Sequence, residues 1–261
     1  MRWLRYSVQG KIFTGYLKDE WLHAVEGAPW GDWQKINITH ALTEVRIEVP
    51  VIPQTFYAAG LNYVKHIKEV AQSKGESAVI PGAADIGYRA VNALLQHDGD
   101  VIIPADAGEK IHYEAELVVV IGKEAKNISE KDALSCIFGY TIGNDVSERD
   151  WQKVDRTFFR SKNCDTFKPM GPWIDTDFKI QGAKTRVTVN NVETIEFDTE
   201  AMLFDIATFI SRTSRYATLY PGDVMWMGTD GTSPNIKGGD VVEIEITGLG
   251  KLRNRFIKAT A

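Results

Sequence analysis

The chain is 261 residues long, 44% hydrophobic and 25% charged, with a formal net charge of −5. Those proportions belong to a globular protein and exclude collagen-like and disordered classes, and no apolar run approaches the ~20 residues of a membrane-spanning helix. No Lys/Arg-rich stretch offers a nucleic-acid footprint, and the two cysteines, Cys136 and Cys164, make neither a disulfide framework nor a zinc motif.

The opening Met1-Arg2-Trp3-Leu4-Arg5-Tyr6 lacks the apolar core of a signal peptide, so a cytoplasmic setting with no membrane partner is expected. Short strands follow at Trp3–Val8 and Ile12–Leu17, separated by Gly10, and Val45–Val49 alternates with the period of two of a half-buried strand. Pro50 and Pro53 mark a boundary between a small strand-rich region, 1–52, and the remainder, 53–261. Asn62 to Gln72 has the length of about three helical turns. Its surroundings up to Pro81 are polar, with Gly75, Pro81 and Gly82 as breakers. Few apolar anchors suggest a lid over 64–80 that is mobile without ligand. Beyond Gly99, strands are predicted at Val101–Ile103, Glu116–Ile121 and Phe138–Val146, with a short helix over Lys131–Ile137. Val187–Val189 and Val192–Ile195 flank the tight turn Asn190-Asn191 as a hairpin. Met202–Ser211 reads as an amphipathic helix capped by Thr199, and Val224–Met227 and Val241–Ile246 as the last strands. Strands outnumber helices, which points to a β-rich α+β fold rolled into a barrel or sandwich.

Three features carry chemistry. Glu114 and Glu116 are two residues apart at the mouth of an apolar strand, so both project from one face. Two adjacent carboxylates repel unless a proton or cation lies between them, and hard oxygen donors select Mg²⁺, Mn²⁺ or Ca²⁺ over zinc. Taken alone, Glu-x-Glu is also an ordinary solvated strand end. Asp145 ends the apolar run Gly139–Asn144; it is either the third carboxylate of a facial oxygen site or a turn and cap residue, and spacing does not separate the two. His66 and Glu69 share a helix face, which would let the carboxylate orient the imidazole as a general base.

Gly60-Leu61-Asn62-Tyr63 with His66 and Glu69, Tyr113–Leu117, Gly139–Gln152, Lys162 with Asp165–Pro172, and Pro221–Thr229 occur in an order that resembles the fumarylacetoacetate hydrolase family from about Tyr57 to Phe256. The resemblance implies a mixed β-sandwich roll, a homodimer and a central Mg²⁺ or Mn²⁺. It assigns the metal to Glu114, Glu116 and Asp145, and the general-base pair to His66 and Glu69. Lys162, Gln152 and Thr229 match positions that contact the carboxylate and oxo end of a small 2-oxo acid. Arg149 and Asp150 match a family string and are read as structural. Tyr88-Arg89-Ala90 stands where many relatives have a Lys-Pro pair, His112 where an Asp is common, Glu148 where an Ala is common, and Asp230–Pro234 departs from the usual turn. The expected function is that of a metal-dependent hydrolase or isomerase acting on an acylpyruvate or 2-hydroxy-dienoate, as in aromatic catabolism. The rivals are an oxaloacetate-type decarboxylase on the same site and a non-catalytic oxo-acid-binding relative.

Overall fold

A computed structural model of the chain describes residues 1–73 and 75–260, apart from the side chain of Ser73. The first region is an antiparallel meander of β1 (Arg2–Val8), β2 (Lys11–Lys18), β3 (Trp21–Gly27) and β4 (Trp33–Ala41). Two of its hairpins turn through positive φ at Gln9-Gly10 and Asp19-Glu20, the geometry whose twist matches the flanking strands. β5 (Arg46–Ile47) pairs with β1 over two residues only, shorter than the alternation predicts, because Pro50 bends the chain away.

The remaining elements are β6 (Phe56–Ala59), α1 (Val64–Ser73), β7 (Ile86–Tyr88), β8 (Leu94–Leu95), β9 (Asp100–Ile103), β10 (Ile111–His112), β11 (Ala115–Ile121), α2 (Glu130–Ala133), β12 (Ile137–Asn144), β13 (Ser147–Glu148), α3 (Arg149–Gln152), α4 (Phe159–Asn163), β14 (Lys168–Asp175), β15 (Lys184–Val189), β16 (Val192–Asp198), α5 (Ile206–Tyr216), β17 (Val224–Trp226), β18 (Val241–Ile246) and β19 (Gly250–Lys258). The large sheet runs β4-β3-β2-β1-β14-β12-β11-β17-β6-β7, a second runs β16-β15-β18-β19-β9, and β10 pairs with β13. Antiparallel ladders dominate, but β17–β6, β14–β8 and β19–β9 are parallel, so the sheets are mixed. The β-rich α+β sandwich roll expected from the sequence is the fold observed. Through β1 and β14 the N-terminal meander extends the same sheet that carries the central strands.

β11 positions the site. Every residue from Ala115 to Ile121 is buried, because the strand lies between β12 and β17 with both faces covered. Leu117, Val119 and Ile121 enter the main core, whereas Val118 and Val120 join a second core with Phe56, Met170 and Trp226. Strand parity puts Glu114 and Glu116 on the Val118 side. Opposite Glu116 stands Gly143; a Cβ there would lie 2.7 Å from the Trp226 ring, so only glycine lets the indole close this face.

Three helices differ from expectation. The 131–137 segment splits into α2 and a 3₁₀ turn, Leu134–Cys136. α5 starts at Ile206 behind Asp205, whose carboxylate accepts the Thr208 N–H at 2.8 Å. Thr199 is not its cap: it is fully buried, with its hydroxyl on Thr185 at 2.8 Å. α1 is better anchored than its polarity suggests. Ile67 and Ala71 are buried, Tyr63 donates its hydroxyl to the Thr199 carbonyl at 2.7 Å, and Asn62 bridges Met227 and Phe204. The solvent-facing part of the expected lid is instead Gly75 to Ile80. Among the described residues no helix is long and apolar enough to cross a membrane.

Candidate active site

Glu114 immediately precedes β11, and Asp145 immediately follows the neighbouring β12. The Asp145 N–H donates to the Glu114 carbonyl at 2.9 Å, and the Glu114 N–H to the Asn144 side chain at 3.1 Å. These bonds bring two strand ends together, and each of Glu114, Glu116 and Asp145 presents a carboxylate oxygen within 4.8 Å of the others. All three are buried. Three anionic oxygens of one hard donor type at this separation can hold a divalent cation.

Four cationic side chains surround the triad. Lys162 on α4 bridges Glu114 at 2.7 Å and Asp145 at 2.8 Å. Lys168 on β14, 0% exposed, meets Asp145 at 2.6 Å. Arg89, just after β7, donates to Asp145 at 2.9 Å, and Arg149 on α3 pairs with Glu114 at 2.7 Å. Asn163 ties two of their segments together, accepting the Ala90 N–H at 2.7 Å and donating to Phe158 at 2.9 Å.

The carboxylates are electrostatically unequal. Burial would raise Glu114, but Lys162 and Arg149 hold it down to about 2. Asp145 is likewise kept far below the ordinary carboxylate range, burial being outweighed by Arg89, Lys162 and Lys168. Glu116 is pushed up to about 8 by burial and by the neighbouring charges of Asp145 and Glu114. Its hydrogen bond comes from the Gly228 N–H at 2.7 Å. Desolvation also lowers Lys168 to about 8, with Asp145 opposing. A proton on Glu116 therefore stands where a cation would otherwise be needed, which supports a metal-binding reading of the triad.

His66 on α1 is buried and close enough to help hold Glu114 down. Its ring is not oriented by Glu69. Nδ1 lies 2.6 Å from the Gly231 carbonyl. Among the described residues Glu69 makes no hydrogen bond to the ring, and its Oε2 is buried and unpartnered. The distance from His66 to Glu69 along the helix allows a shared face, but the loop after Thr229 reaches the ring first. Gln152 accepts from Arg149 at 2.8 Å, and the buried Thr229 hydroxyl donates to the Asp230 carbonyl at 3.4 Å. Arg149, read from the sequence as structural, reaches the triad directly, whereas Asp150 is half-buried between Lys110 and Lys153. Arg89 and Lys168 were missed as site residues. A signal for Lys168 was its place against the apolar run Pro169–Trp173, since a buried lysine needs a carboxylate partner.

The fumarylacetoacetate (FAA) hydrolase C-terminal model matches residues 55–257, and a Rv2993c-like N-terminal model matches residues 1–50. A fumarylacetoacetate hydrolase domain-containing protein 2 homolog of Dictyostelium discoideum is 36% identical, over 85% of this chain and 80% of that protein. A 2,4-didehydro-3-deoxy-L-rhamnonate hydrolase of Sphingomonas is 34% identical, over 95% of this chain and 90% of that protein. Among solved structures, a 5-carboxymethyl-2-hydroxymuconate delta-isomerase from Mycobacterium smegmatis superposes with a TM-score of 0.90 at 32% identity, covering 99% of this chain and 100% of that one.

Proposed function

The chain belongs to the fumarylacetoacetate hydrolase family, and we propose that it is a divalent-cation-dependent enzyme acting at a carbon–carbon bond of a small 2-oxo or β-dicarbonyl acid. The reaction class is hydrolysis or isomerisation of an acylpyruvate or 2-hydroxy-dienoate. The observation that carries this reading is the buried triad of Glu114, Glu116 and Asp145, its oxygens within 4.8 Å of one another. A 2,4-didehydro-3-deoxy-L-rhamnonate hydrolase among the sequence relatives and a 5-carboxymethyl-2-hydroxymuconate delta-isomerase of the same fold support the reaction class.

Mg²⁺ or Mn²⁺, when bound there, supplies a Lewis acid for the carboxylate and oxo oxygens of the substrate. The chain's own residues do the rest. Lys162 is buried beside the triad and counters negative charge developing on the oxo oxygen. Arg149, bonded to Gln152, presents its guanidinium beside Glu114, and Gln152 and Thr229 are read as substrate contacts at that end on the strength of the family resemblance. With Nδ1 committed to the Gly231 carbonyl, His66 has Nε2 free to take a proton from water attacking the distal carbonyl. The bond between that carbonyl carbon and its neighbour then breaks, its electron pair passing toward the oxo group.

A screen of acylpyruvates, 2-hydroxy-dienoate diacids and oxaloacetate with Mg²⁺ and Mn²⁺ tests the assignment. His66→Ala should lower hydrolysis by roughly 10²–10⁴-fold and leave binding of an oxalate mimic intact. Decarboxylation of oxaloacetate needs no attacking water and should fall far less. Turnover unaffected by rigorous metal removal would refute the proposal, and equal loss of both activities would remove His66 as the water-activating base.

A further inference from the structure

We propose that Asp230 is a positioning residue that latches α1 over the triad and, through Gly231, fixes the proton of His66 on Nδ1. The inference rests on the reading of His66 as the base for its consequence, but not for its geometry.

The first N–H groups of a helix have no partners within it. α1 follows Tyr63, which has no acceptor to fold back over the first turn, and the missing acceptor comes from a distant loop. Asp230 Oδ1 accepts the His66 N–H at 3.0 Å. The same oxygen accepts the Gly231 N–H at 2.8 Å. This second bond folds the loop so that the Gly231 carbonyl stands 2.6 Å from His66 Nδ1. A carbonyl only accepts, so Nδ1 carries the hydrogen, and in the neutral imidazole Nε2 keeps its lone pair. One carboxylate oxygen thus caps the helix and sets the tautomer. Gly231 adopts φ +67°, a conformation that glycine takes without strain, and a side chain here would also have to displace Ile195 Cδ1.

The far end of the same loop is pinned to the segment that carries Glu114. Ser233 accepts the Tyr113 N–H at 3.2 Å, and Asn235 bonds His112 Nε2 at 3.0 Å. His112 Nδ1 accepts from Arg149 Nε at 3.2 Å, and Arg149 pairs with Glu114 at 2.7 Å. The loop therefore sets the base and the triad in one frame.

The test uses the free protein, without metal or substrate, so its outcome is independent of the proposed reaction. In ¹⁵N-histidine spectra above the imidazole titration, wild-type His66 should show a protonated Nδ1 and a bare Nε2, the reverse of the tautomer that unrestrained neutral histidine favours. Asp230→Ala should shift His66 toward that other tautomer and speed amide exchange at His66 about fivefold, the fold-change of a lost helix cap. Asp230→Asn keeps an accepting Oδ1 and should restore both readouts. A wild-type His66 protonated on Nε2 overturns the proposal without any variant. So does an Asp230→Ala protein with unchanged ring signals and exchange, or an Asp230→Asn protein no better than the alanine form.

Discussion

At the scale of single residues, the site separates three chemically similar carboxyl groups by their neighbours. Glu114 and Asp145 each face two or more cations and stay ionised, while Glu116 has the Gly228 N–H and is pushed up to about 8 by burial beside the other two acids. The sign follows from linkage. A carboxyl raised from 4.5 to about 8 on folding destabilises the metal-free protein progressively as pH rises across that window. A cation binds the deprotonated form, so binding below pH 8 must expel the proton. Metal affinity should therefore rise with pH between 6 and 8, by up to about tenfold per unit, and flatten above. Calorimetric titration of Mn²⁺ at pH 7, in buffers of different ionisation enthalpy, should count about one proton released per ion. Zero release, or an affinity flat across that range, would contradict the protonated state of Glu116.

At the scale of elements, helix caps and strand neighbours decided what could be read in advance. α5 buries Ile206, Phe209, Ile210 and Thr213, the i, i+3, i+4, i+7 stripe of a surface helix. That stripe was legible, but its start was not, because Met202 and Phe204 pack on the core from the loop ahead of the helix. Asp205 is the cap, and Asp205→Ala should cost about 1 kcal/mol. Thermal unfolding should fall by roughly 2–4 °C, while Thr199→Ser should leave α5 intact; equal melting of Asp205→Ala and wild type would remove the cap assignment. β11 and β12 were legible as continuous apolar runs, the mark of strands buried on both faces. β14 was not, because Pro169 and Pro172 argue against a central strand. The sheet tolerates them by irregularity: the β12–β14 register shifts between Tyr140 and Ile142 beside Pro172, and β14 pairs with β1 only through Ile174 and Asp175. β19 hid its alternation behind an inward Asn254, which is satisfied by the Gln96 and Gly99 carbonyls at 2.9 Å. Within the site, the Glu-x-Glu pair followed from strand parity. The Gly231 contact to His66 did not, since it joins residues 165 positions apart.

At the scale of the whole molecule, the charge of the chain and the charge of the site have opposite tendencies. The protein carries a net −5, yet Arg89, Arg149, Lys162 and Lys168 converge on three carboxylates from four separate segments, a convergence that only the topology creates. Without a divalent ion these cations pair directly with Glu114 and Asp145, while Glu116 keeps its proton. With an ion seated in the triad, the carboxylates are satisfied and the cations are left in excess within a buried, weakly screened space. Such a site should then hold a small dianion, and hold it poorly beforehand. Oxalate at about 100 times its dissociation constant contributes roughly 2.7 kcal/mol. For a chain of this size that corresponds to roughly 5–10 °C in melting temperature. Oxalate with Mn²⁺ should produce a shift of that order beyond Mn²⁺ alone, oxalate with a chelator should produce almost none, and Glu116→Ala should abolish the difference. An oxalate shift of equal size in chelator-treated protein would mean that the four cations alone form the anion site and that the triad is not its switch.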